Sequence, residues 1–115
     1  MNQTEIASKN LIIHQYMCDT EEARKDLEYC LKHHAGFLDT LHYHDDPSWL
    51  FPAVERILSK ETVTFSMNAH GAMFKEFGGM FPTAHSAGSS IMENLFNVVH
   101  ELIVLLNTKK HENRD

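Results

Sequence analysis

The chain has 115 residues, 43% of them hydrophobic, with a formal net charge of −6. That length fits one folded domain with one core and leaves no room for a second. Its acidic balance, with no run of Lys or Arg, excludes binding to a nucleic-acid polymer through the phosphate backbone but allows a small anionic ligand in a locally positive pocket.

Residues 5–17 carry Ile6, Ile13 and Met17 at helical spacing, with Thr4 as the expected N-cap. A second helix is expected from Thr20 to His34. Glu21 and Glu22 favour its start, Lys32, His33 and His34 its end before Gly36, and Ala23, Leu27, Cys30 and Leu31 form its inward side. From Phe37 to His44 the pattern turns to period two, with Leu41 and Tyr43 on one face and His42 and His44 on the other, which predicts a short strand. Ser48 is the expected N-cap of a third helix, because it leaves Pro52 in the first turn, and Leu50, Val54, Ile57 and Leu58 form its buried stripe.

Thr62 to Met67 alternates, with Val63, Phe65 and Met67 inward, and a return strand over 72–77 completes a hairpin around Asn68-Ala69-His70-Gly71. Gly78 to Gly88 reads as loop. Ser90-Ile91-Met92-Glu93 fits a capping box, and Ile91, Leu95, Val98, Val99, Leu102, Ile103 and Leu106 give the last helix a wide apolar face suited to lie across a sheet. Residues 107–115 read as a charged, frayed tail. The expected fold is α+β, a small antiparallel sheet packed against helices as a layered sandwich, in a single domain over residues 1–115.

Met1-Asn2-Gln3-Thr4-Glu5 lacks the regions of a signal peptide, and the longest apolar run, Leu102 to Leu106, is too short to cross a bilayer, so a cytoplasmic protein without a membrane contact is expected. Cys18 and Cys30 are not spaced as a metal or redox pair and read as free thiols. The apolar Met80-Phe81 segment and the wide face of the last helix favour a homo-oligomer, with a symmetric dimer first.

The run Tyr43-His44, then Ser48-Trp49-Leu50-Phe51-Pro52-Ala53-Val54-Glu55-Arg56-Ile57, resembles the Tyr-His and Trp-Leu-Met-Pro-Val-Val-Glu-Lys-Ile pattern of small phage and prophage proteins with a phage ABA sandwich domain. Asn10 to Met17 is similar to that family's opening helix, and Ser89 to Asn107 to its closing one. The inserted Asp45-Asp46-Pro47 and the charged segment from Thr20 to Lys32 depart from it. The resemblance implies an α+β layered fold and a phage-encoded accessory product acting in the host cytoplasm, with no reaction and no catalytic residues attached.

Several constellations bear on chemistry. His42-x-His44-x-Asp46 resembles the metal loop of metallo-β-lactamase-type hydrolases, yet Pro47 stands where that motif continues with histidine and the chain is too short for that fold. A metal-dependent hydrolase is therefore the alternative reading and a structural or virion-associated protein the third. The leading one is a non-enzymatic binding module without a cofactor, which sequesters a small, nucleotide-derived ligand or blocks a host protein. Its site would combine the His42 and His44 face, Trp49 as a stacking ring and Arg56 as a phosphate partner, closed by Phe81, Ser86 and Ser89.

Overall fold

A computed structural model describes residues 1–80 and 82–112, with the side chains of 110–112 left aside. Within them the order is α1 (Gln3–Met17), α2 (Glu21–His33), a 3-10 helix (Phe37–Thr40), α3 (Pro47–Lys60), β1 (Val63–Asn68), β2 (Gly71–Glu76), β3 (Ala84–Ala87) and α4 (Ile91–Glu112). Phe81 and residues 113–115 lie outside the described residues. The described helices have no stretch long and apolar enough to cross a membrane.

The sheet is antiparallel in the order β1-β2-β3, with Phe65 opposite Phe74 and Phe74 opposite Ala84. Val63, Ala72, Phe74 and Ala84 face the helical layer and are buried there against Leu95, Phe96, Val98, Val99, Leu102 and Ile103 of α4. The terminal helix thus crosses β2 and β3, as its apolar stripe requires. Ile13 of α1 and Leu50, Ala53, Val54 and Ile57 of α3 complete the same core. The fold is α+β, with helices on one face of the sheet.

Several local expectations give way to better capping or to partner geometry. Asn2 caps α1 by accepting the Glu5 amide at 2.8 Å, so Thr4 lies inside the helix. Asp46 caps α3 and Pro47 takes the first helical position, where its missing N–H costs nothing; Pro52 consequently falls in the helix interior. Leu31, Leu58 and Ile91, all expected inward, are exposed, while the stripes beside them close on the core. Residues 41–44 alternate in burial as a strand would, yet the preceding 3-10 helix and a turn at Tyr43 to Asp45 leave them unpaired. Residues 78–88, expected as loop, contain β3, whose sequence Ala-His-Ser-Ala carries no apolar alternation. Beyond Asn107 the helix continues through Glu112, and residues 113–115 of the expected frayed tail lie outside the described residues.

Candidate functional site

Gly36 adopts a left-handed φ of 82° and turns the chain from α2 into the 3-10 helix. From there Leu41 and Tyr43 anchor residues 41–43 in the core. His42 and His44 are thereby directed to the other side, His42 exposed and His44 half-buried. The His42 carbonyl accepts the Asp45 amide at 3.3 Å and the Asp46 amide at 2.9 Å, closing the turn that delivers the chain to α3. Asp46 then accepts from the Ser48 amide at 2.9 Å and the Ser48 hydroxyl at 2.7 Å, and these bonds hold its carboxyl below the usual carboxylate range.

The turn is tied to α1 by a buried polar contact. Asn10 Nδ2 donates to His44 Nδ1 at 2.9 Å, which leaves the ring proton on Nε2, 3.5 Å from the Asp45 carboxylate. His42 Nδ1 lies 3.1 Å from the other oxygen of the same carboxylate, and the two imidazole rings are nearly parallel with centroids 6.2 Å apart. One helical turn along, His14 Nδ1 and the Tyr43 hydroxyl are joined at 2.9 Å. Burial lowers the His14 pKa and, with a smaller contribution from Cys18, pushes Tyr43 up to about 12, so both are neutral near pH 7.

Of these groups Asn10, His42 and His44 border a groove of about 370 Å³, whose walls also include Gln3, Ala7, Leu38 and Asp39. Asn10 is 1% exposed, and among the described residues its Oδ1 has no hydrogen-bond partner. A buried amide oxygen left unpaired costs on the order of 1–3 kcal/mol, which makes it the feature of this region most in need of a reason. On its other side His44 borders a second hollow of about 290 Å³ with Ser90, Met92 and Phe96, its ring 6.1 Å from that of Phe96.

The expected site residues therefore do not all converge. His42 and His44 line the groove, but Trp49 does not: it packs edge-on against Tyr43 at 5.2 Å and His42 at 5.6 Å and joins the core. Arg56 is two turns of helix beyond Trp49 and pairs with Asp19, whose carboxyl it holds below the usual range. Ser86 and Ser89 do not close over the histidines. The Ser86 hydroxyl and the Ser89 amide both donate to Oδ1 of the fully buried Asn94, whose Nδ2 donates back to the Ser89 carbonyl, so they latch β3 to α4. Phe81, the remaining lid residue, is outside the described residues. Asp46 is occupied by its cap, and among the described residues no group of three or more His, Cys, Asp or Glu side chains has the geometry to hold a metal.

Asn10 and Asp39 are the site residues that sequence reading passed over. Asn10 was legible in principle: the stripe Ile6, Ile13 and Met17 has position 10 on it, and a polar residue there has to find a buried partner. Asp39 had no such signal.

No family model, no curated protein and no solved structure matches the chain.

Proposed function

We propose that this chain is a non-enzymatic binding module of the phage-accessory kind, acting in the host cytoplasm, and that its small ligand sits in the groove between α1 and residues 38–44. The observation that carries this reading is the unpaired, buried Oδ1 of Asn10 beside that groove. Its walls include two residues that carry acceptors, Asn10 and Asp39. Acceptors call for a ligand with N–H donors, and the exposed ring of His42 offers a face for stacking.

A nucleobase or nucleoside has both features. The Asp39 carboxylate opposes a phosphate inside the groove, so any phosphate of a nucleotide-derived signal would project outward, and Arg56 is not its partner. Sequestration of such a signal is the role proposed. The same accessory role would be met by covering a host protein, for which the exposed Phe77 and Met80 supply apolar contacts.

Thermal denaturation in the presence of purine and pyrimidine nucleosides and nucleotides, on the unaltered chain and on Asn10→Leu, tests the groove. A ligand at about a hundred times its Kd should stabilise the native state by about 2.7 kcal/mol, and the gain should vanish in Asn10→Leu. Failure of every compound to raise the Tm, or an equal rise in both proteins, would remove the proposal.

A further inference from the structure

The two edges of the sheet are built differently. Phe77 N–H donates to the Thr62 carbonyl at 3.2 Å, and the β1 register runs from Val63 opposite Glu76 to Asn68 opposite Gly71. Antiparallel pairing alternates, so Thr62, Thr64, Ser66 and Asn68 direct their backbone groups to β2, while Val63, Phe65 and Met67 direct theirs away. Among the described residues nothing hydrogen-bonds to those outward groups.

On the opposite edge, Gly88 N–H donates to the His70 carbonyl at 3.2 Å, which by the same alternation turns the His85 amide outward. There the Glu101 carboxylate of α4 accepts it at 3.2 Å. The β3 edge is thus short and occupied by a charged side chain. The β1 edge is six residues long and has no charge and no proline, and Thr64, Ser66, Met67 and Asn68 on it are exposed. Unguarded edges of this kind pair with another strand.

We propose that β1 pairs antiparallel with β1 of a second copy, joining two three-stranded sheets into one continuous six-stranded sheet. The occupant follows from register. A symmetric pairing must set outward-directed residues against outward-directed residues, and centring it on Phe65 does this for all of them: Phe65 meets Phe65, and Val63 meets Met67. Centring on Ser66 would send Val63 to Ala69 in the turn, centring on Thr64 would send Met67 to Glu61 outside the strand, and a slip by one residue would set Phe65 against Ser66, whose backbone already bonds β2.

Side chains agree with the Phe65-centred register. Val63, Phe65 and Met67 share the helix-facing side, where Phe65 is half-buried and Met67 is 38% exposed, so the second copy covers apolar surface that one copy leaves open. On the outer side Thr64 meets Ser66, and no like charges oppose one another. With −6 on each copy, added salt should strengthen the association.

Light scattering on the full chain from dilute to concentrated protein, combined with amide hydrogen exchange, tests the pairing. The expected result is a mass that rises to twice that of one chain, with the amides of Val63, Phe65 and Met67 gaining protection as it does. Met67→Pro, which deletes an N–H not used within the chain, should give a monomer. A monomer mass at every concentration would overturn the proposal. So would a dimer in which those three amides exchange as fast as in dilute protein, and that comparison needs no variant to fold.

Discussion

The side-chain amide of Asn10 donates to His44 Nδ1 at 2.9 Å and so fixes the ring that borders the groove, while the other end of the same amide is buried with no partner among the described residues. Stability alone would not keep such an arrangement, because an apolar side chain of similar size removes the orphan. Asn10→Leu removes the orphan but also the donor to the half-buried His44, so the Tm should stay level or rise by a few degrees, since about 1 kcal/mol moves a domain of this size by roughly 3–6 °C. A fall of that size in a thermal melt would show that Asn10 is there to hold the fold.

Trp49 is expected to act on stability. It is half-buried against Tyr43 and His42, so Trp49→Ala should cost about 2–4 kcal/mol, somewhat less than a fully buried aromatic. Urea denaturation measures this. A loss below about 0.5 kcal/mol, the range of a surface substitution, would contradict the packing.

Asn94 joins β3 to the start of α4 through Ser86 and Ser89 and is fully buried. Asn94→Ala strands several polar groups at once and is expected to cost about 2–4 kcal/mol by urea denaturation. Amide exchange in β3 should rise with it. Unchanged exchange at Ser86 and Gly88, whose amides are directed to the hairpin, would mean that α4 holds β3 without the latch.

Pro52 lies inside α3, where it removes one helical hydrogen bond. It is exposed, so Pro52→Ala makes no cavity and should stabilise the chain by about 1–2 kcal/mol, after allowing for the greater freedom of the unfolded state. A lower Tm would show that the proline sets the path of α3 onto the core.

Burial lowers the pKa of His14, and burial followed by repulsion from Lys9 lowers that of His100. Each folded-state pKa lies below the unfolded value of 6.5, so both groups leave full stability above that pH and withdraw it as pH falls toward their folded values. Denaturation midpoints should therefore drop below pH 6.5, and His14→Gln should flatten that slope. A midpoint that stays level or rises with acid would reverse the sign and contradict the burial of both rings.

Sequence periodicity was a sound guide wherever an element owed its form to one apolar face. The stripe of α4, the β1-β2 hairpin and the alternation of Leu41 and Tyr43 all followed from it. Periodicity could not distinguish a strand from an unpaired segment at 41–44, because what makes a strand is a neighbour, and none sits beside those residues among the described ones. It also missed β3, whose small side chains carry little pattern and whose place is set by β2 and Asn94. At the site, His42 and His44 were legible as a polar face. Their convergence with Asn10 was not, since it depends on how α1 docks across 34 positions of chain.

The groove is tested most directly by following the Asn10 side-chain amide and the His44 ring by NMR while the nucleoside series is titrated into labelled protein. Ligand seated there should move both signals together in a saturable way. Saturable binding that moves neither Asn10 nor His44 would contradict the assignment of the ligand to this groove.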